Sequence, residues 1–268
     1  MLSVRTLVRR EGVEIADVAC RHPRGRGHTP ERANGHALVF VRRGCFVRRA
    51  GGAATLLDPT VAYCLNTGDE QLYDHPHDNG DDCTSIFFAA DVLASLWGGD
   101  PTLPAGPLAV SPELDLEHRL LVAAARRGSD ENDLLERAIR LTARALEGAD
   151  AGRVASGRPS TARARRALVD GAREILADRP ETSLADLARA LAVSPHHLSR
   201  TFRSATGHTI SRQRMRLRAR DALDRLDRGE RNLARLAADL GFADHSHLCR
   251  VLREETGHTP SALRRALA

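Results

Sequence analysis

A chain of 268 residues is long enough for two domains, each with its own core. Its formal charge is +5, and it holds neither a run of eighteen apolar residues nor a hydrophobic leader with a cleavage site, which argues against membrane spanning and secretion. Five scattered cysteines (Cys20, Cys45, Cys64, Cys83 and Cys249) make a poor disulfide framework, so a cytoplasmic protein is expected.

All 40 basic residues are arginine, which reflects genomic base composition more than any partner; their distribution is more informative. Residues 153–268 hold 23 arginines against 13 acidic residues, a net of +10, whereas residues 1–152 hold 17 against 22, a net of −5. Only the C-terminal half is therefore expected to meet a polyanion.

In chain order, residues 1 to about 105 read as β-rich. Short apolar runs such as Ala37-Leu38-Val39-Phe40-Val41 and Thr84-Ser85-Ile86-Phe87-Phe88 are separated by Gly, Asp, Asn and Pro turn signals. Ala50-Gly51-Gly52-Ala53 reads as a hairpin connection, and strands at this spacing favour a small barrel or a double-sheet roll. From Glu113 the period changes to three and four. Leu114, Leu120 and Leu121, then Leu134, Ala138 and Leu141, predict two amphipathic helices, with Ser129 or Asp130 capping the second. These helices could lid the β domain or form a dimer. Residues 149–160 are small and polar and read as a linker between an N-terminal domain over 1–148 and a C-terminal domain over 161–268.

The C-terminal half carries an internal repeat. Arg200 to Thr209 and Arg250 to Thr259 align at a fixed offset of 50 residues, each copy containing Thr-Gly-His-Thr. Each copy follows a short helical pattern and a turn. Ser183 caps the first such helix, whose stripe Leu184, Leu187, Ala188 and Leu191 faces inward; Ala192-Val193 is the turn; Ser194 and Pro195 open the second helix. The later copy has Leu233, Leu236, Ala237 and Leu240, then Gly241-Phe242, then a helix from about Asp244. The first helices align at 49 and the second at 50, so the second turn is one residue longer. Between the copies, a long helix bears Arg212, Arg214, Arg216, Arg218 and Arg220 and would hold the second helices about 34 Å apart, one turn of the duplex.

These residues carry a resemblance. The chain from about Ala167 to Leu267 resembles the DNA-binding domain of the AraC/XylS family of transcription regulators, through Ala237, Gly241, Phe242, Asp244, Ser246, His247, Arg250, Leu252, Arg253, Gly257, Thr259 and Pro260. Leu252 stands where the family usually has Phe, and His247 where it has an aromatic residue. The resemblance implies an α+β multidomain chain, with an N-terminal cupin-like β-roll and following helices as effector and dimerisation domain. The C-terminal all-α domain would hold two helix-turn-helix units joined by a long helix. It further implies base reading by His196, Ser199 and Arg200 in the first unit and by Ser246, His247 and Arg250 in the second. Bidentate arginine-to-guanine contacts have the best chemical support. Arg203, Arg212, Arg214 and Arg253 are expected on the DNA backbone. Promoter DNA, RNA polymerase and a second copy of the chain are the implied partners.

For the signal, Cys20, His22, His75 and Cys83, with His77 nearby, offer soft ligands suited to zinc or a related transition metal if a sheet roll gathers them, although their spacing matches no zinc finger. A metal- or thiol-redox-sensing regulator is thus the alternative to one that binds a small organic effector. With nine aromatic residues in the chain, no stacking box for such a ligand is visible. An enzyme is not expected. The cupin pattern of two His, a Glu and a later His is not visible, and a repair factor using Cys20 or Cys83 as acceptor would carry a Pro-Cys-His-Arg-type motif, which is absent.

Overall fold

A computed structural model describes residues 1–99, 101–151 and 159–267. Its N-terminal half is a roll of ten strands: β1 (Leu2–Arg10), β2 (Val13–Cys20), β3 (Glu31–Arg32), β4 (His36–Arg43), β5 (Phe46–Ala50), β6 (Ala53–Leu57), β7 (Val61–Leu65), β8 (Glu70–Asp74), β9 (Asp81–Phe88) and β10 (Leu108–Ala109). They form a six-stranded sheet in the order β1-β2-β9-β4-β7-β10 and a four-stranded sheet in the order β3-β8-β5-β6. All paired strands are antiparallel. The hairpin expected at Gly51-Gly52 joins β5 to β6 with both glycines at positive φ, the primed two-residue turn whose twist matches its strands.

The apolar run in β4 has two destinations. Ala37, Val39 and Val41 enter the space between the sheets beside Phe46, Leu57 and Tyr63. Leu38 and Phe40 point the other way, among Ile15 and Ile86. A strand buried on both faces loses its hydrophobic alternation, so the run is continuous in sequence.

Among the described residues there are also ten helices: α1 (Ala90–Trp97), α2 (Pro112–Arg126), α3 (Glu131–Ala151), α4 (Pro159–Asp178), α5 (Leu184–Ala190), α6 (Pro195–Thr206), α7 (Ile210–Asp227), α8 (Leu233–Asp239), α9 (His245–Thr256) and α10 (Pro260–Leu267). Helix α1 corrects the expectation that residues to about 105 are strands and turns; its Leu93 is buried in the core beneath the six-stranded sheet. Helices α2 and α3 follow the three-four periodicity and cover that sheet through Leu114, Leu121, Leu134, Ala138 and Leu141. Ser111 caps α2, and Asp130 caps α3 by accepting from the Asn132 and Asp133 amides. The second face of α2 turns to the C-terminal half. Leu116 and Ala123 lie in one core with Leu223, Val251 and Leu263.

Ion pairs reinforce that junction. Asp17 on β2 binds Arg42 and Arg126, and Arg126 also reaches Asp227 at the end of α7. Burial alone would raise the Asp17 carboxyl, but the two guanidiniums hold it below its ordinary value. Arg173 on α4 binds Asp58, which is completely buried in the turn after β6. Arg216 and Arg220 on α7 donate to the Val110 carbonyl oxygen, and Arg220 lies 3.7 Å from buried Asp115.

Of the linker expected over 149–160, residues 152–158 lie outside the described residues; α3 runs to Ala151 and α4 begins at Pro159. Among the described residues no helix is long and apolar enough to cross a membrane.

Candidate functional site

The two helix-turn-helix units are built from equivalent local signals. The Ser183 hydroxyl accepts from the Asp186 amide to start α5, and Asn232 does the same for α8 through the Arg235 amide. The chain leaves α5 through Ala192 at φ +53° and leaves α8 through Gly241 at φ +68°. These positions are 49 residues apart. Ser194 and Asp244, 50 apart, then accept from the His197 and His247 amides and start α6 and α9. Ala243 is thus the extra residue in the second turn, and the helices beyond it stay in phase.

That phase places Leu198, Thr201 and Phe202 in the first core and Leu248, Val251 and Leu252 in the second. Leu252 fills the place of Phe202, and both are fully buried. In the first stripe Leu184 departs from the inward position read for it and is 37% exposed. The most conspicuous part of the repeat, Thr-Gly-His-Thr, forms a corner between helices. The Thr206 and Thr256 hydroxyls donate to the Phe202 and Leu252 carbonyls, Gly207 and Gly257 sit at positive φ, and Thr209 and Thr259 receive the Arg212 and Ala262 amides of the next helix.

Arg200 and Arg250 stand exposed at equivalent positions of α6 and α9, as do Arg203 and Arg253, and none of the four has an ion-pair partner among the described residues. His196 and Ser246 are exposed and Ser199 is half-buried. His247 is held internally: its Nδ1 accepts from the Ala243 amide at 3.3 Å, and its ring meets Phe242 edge-on. The arginines of α7 differ from Arg203 and Arg253. Arg212 pairs with buried Glu255 at 2.7 Å, Arg214 donates to the Thr182 carbonyl and Arg218 to that of Gly241, while Arg216 and Arg220 face the roll. Much of the positive charge on this helix fastens the fold.

Residues 187–266 match a family model described as a helix-turn-helix domain. The C-terminal domain is a helix-turn-helix domain. No curated protein matches the chain. Among solved structures, the chain is similar to an apo form of ToxT from Vibrio cholerae strain SCE256, at 11% identity over 97% of this chain and 99% of that one, with a TM-score of 0.41. A DNA-binding transcriptional dual regulator from Escherichia coli K-12 matches over 37% of this chain and 91% of its own, at 22% identity and a TM-score of 0.35. A putative mannose-6-phosphate isomerase from Ralstonia eutropha matches over 34% of this chain and 86% of its own, at 12% identity and a TM-score of 0.31.

Away from the helix-turn-helix domain, the roll holds an open-mouthed cavity of about 830 Å³ between its sheets. Five of the nine aromatic residues line it (Phe46, Tyr63, Tyr73, Phe87 and Phe88), which sequence reasoning missed because they come from four different strands. The Tyr63 and Tyr73 hydroxyls lie 3.3 Å apart there, and the Arg48 guanidinium sits 5.1 Å over the Tyr63 ring.

The same cavity gathers the candidate ligands. Cys20, His22 and His75 line it, with one ligand atom of each within 4.8 Å of the others. Cys83 lies one step outside that group, its thiol 3.5 Å from Asp81 Oδ1. His77 turns away and is 3.6 Å from Asp178 on α4. Cys45 and Cys64 belong to neither site: burial pushes Cys64 up to about 12 and raises Cys45 as well, which keeps both protonated and unreactive.

Proposed function

We propose that this chain is a sequence-specific transcriptional regulator whose AraC-type domain lays α6 and α9 into successive major grooves and whose roll receives the signal. One observation carries the reading. Arg200 and Arg250 are exposed, free of ion pairs and displaced by one repeat on two helices of the same phase. Helix α7, with 18 residues, is about 27 Å long and joins the two units, a length that supports their second helices entering successive grooves. Arg203 and Arg253 suit phosphate contacts that set register. Arg212 and Arg214 suit that role less well, because their guanidiniums already serve Glu255 and the Thr182 carbonyl.

The two copies read different half-motifs. The first unit offers His196 and Ser199 beside Arg200, whereas the second offers Ser246 beside Arg250, with His247 partly occupied by its own turn. The cavity falls within the range typical of small-molecule sites, and its aromatic walls with a few polar groups suit a compact organic effector.

Selection from random duplex DNA should return an asymmetric site. On that site Arg250→Ala should cost roughly 1–3 kcal/mol and relax preference at one base pair. Arg253→Ala should weaken all sequences alike and lower the salt slope by about 1. Equal losses for Arg250→Ala on selected and random DNA would remove the base-reading role.

A further inference from the structure

We infer that Cys20, His22 and His75, completed by Asp81, form a binding site for a divalent transition metal of the zinc type in the cavity wall, and that its occupancy reaches the DNA-binding half through Asp82. The local fold assembles the group from distant segments. Cys20 ends β2 and pairs in register with Asp81, the first residue of β9, so both side chains leave the same face. The loop after β2 is clamped to the end of β8 by reciprocal backbone hydrogen bonds between Gly25 and His75, which brings His22 beside His75.

The geometry fits one metal. Cys20 Sγ lies 3.2 Å from His22 Nδ1 and 3.2 Å from His75 Nε2. A tetrahedral zinc with ordinary bond lengths would set sulfur and nitrogen about 3.6 Å apart, so small movements suffice. Asp81 supplies an independent sign. It is 4% exposed, and its Oδ2, 3.5 Å from His75 Nε2, has no hydrogen-bond partner, while Oδ1 faces the Cys83 thiol. A buried carboxylate oxygen without a hydrogen-bond partner, close to one imidazole of the group though outside the three atoms that already converge, suits a cation that would draw it in. One thiolate, two imidazoles and a carboxylate form a borderline donor set that selects zinc and its neighbours over calcium or magnesium.

The residues interleaved with these ligands face the other way. Arg21, between Cys20 and His22, binds Asp82, between Asp81 and Cys83. Asp82 also holds Arg43 and, at 2.9 Å, Arg228, which follows α7. Drawing Cys20 and Asp81 onto a metal moves the backbone that carries Arg21 and Asp82, and so bears on the contact to Arg228. This second step rests on the regulator reading; the metal site does not.

The full-length protein, purified without chelator and titrated with Co²⁺, should bind one ion per chain with a sulfur-to-cobalt charge-transfer band and tetrahedral d–d bands, and Zn²⁺ should displace it. Cys20→Ser should abolish the charge-transfer band, and Asp81→Asn should weaken binding by at least the roughly 10–100-fold that loss of a partner outside the ligand set already costs. His22→Ala changes an exposed residue that the fold does not need and should also weaken binding; circular dichroism identifies any variant that fails to fold. A cobalt spectrum without the sulfur band, or binding unchanged in His22→Ala, overturns the site. Zn²⁺ should then change affinity for the selected DNA by at least about fivefold in the native chain and less in Arg228→Ala. Stoichiometric metal with unchanged DNA affinity overturns the coupling alone. Absence of DNA binding in every metal state overturns the regulator reading and the coupling with it, and leaves the spectroscopic result standing.

Discussion

At the scale of single residues, the consequential charges are those buried between the halves. Asp58 Oδ1 accepts from the Thr60 amide and hydroxyl, and Oδ2 faces Arg173 Nε and Nη2 at 3.0 and 2.9 Å. Burial would raise the Asp58 carboxyl, yet Arg173 and Thr60 bring it below its ordinary value. A depressed carboxylate contributes stability that is complete above its unfolded pKa, near 4, and is lost as pH falls below that. Arg173→Ala would leave a completely buried carboxylate unpaired and should cost about 3–5 kcal/mol in urea unfolding at pH 7. The pair Asp58→Asn with Arg173→Met, which keeps the Thr60 bonds and the volume, should recover most of that loss. A loss in Arg173→Ala below about 1 kcal/mol would show that solvent already screens the pair. The charge alone would not reveal this role. The repeat marks Arg250 as the counterpart of Arg200, but nothing near Arg173 or Arg220 in sequence records that a partner in the other half occupies them.

At the scale of elements, the repeat allows a controlled comparison. Ala192 and Gly241 occupy the same left-handed position in the two turns, but only glycine adopts it without strain. Ala192→Gly should therefore stabilise the protein by about 0.5–1 kcal/mol, measured as a raised unfolding midpoint. Gly241→Ala should destabilise it by more than that gain. Its φ is +68°, and a Cβ there would lie 3.0 Å from the Arg218 guanidinium, which donates to the Gly241 carbonyl. Equal and small effects at both positions would mean that the turns relax independently of their φ. Features of this kind were legible in sequence because they are local: the Gly51-Gly52 hairpin, the Ser183 and Ser194 caps, Asp130, and the 49-to-50 change of offset each depend on a few neighbouring residues. Helix α1 was not legible, being eight residues of short apolar run inside a β-rich stretch, where helix and strand periods cannot be separated. Asp81 was missed as a companion of Cys20 for a different reason. They meet through strand register across 61 positions of chain, and nothing near either residue records that pairing.

At the scale of the whole molecule, the two helix-turn-helix units are attached to the roll in different ways. The core of the first unit, around Leu187, Leu198, Phe202 and Ile210, contains no residue of the N-terminal half. The core of the second unit is completed by Leu116 and Ala123 of α2, a helix whose opposite face lies on the six-stranded sheet. A change in the roll therefore has a direct apolar path to α9, whereas among the described residues it reaches α6 through polar contacts, such as the buried Arg173–Asp58 pair on α4, or through α7. Leu116→Ala should cost about 2–5 kcal/mol, since Leu116 is 5% exposed and the site is enclosed by helices from both halves. Native-state hydrogen exchange locates that cost. Amides of α9, α10 and the later turns of α7 should lose protection, while those of α5 and α6 keep theirs. Matching losses in α6 would mean that the two units unfold as one body and that the signal has no preferred reader. Loss confined to the second unit would place the response to a change in the roll on the helix that carries Ser246 and Arg250, and leave the helix that carries Arg200 unchanged.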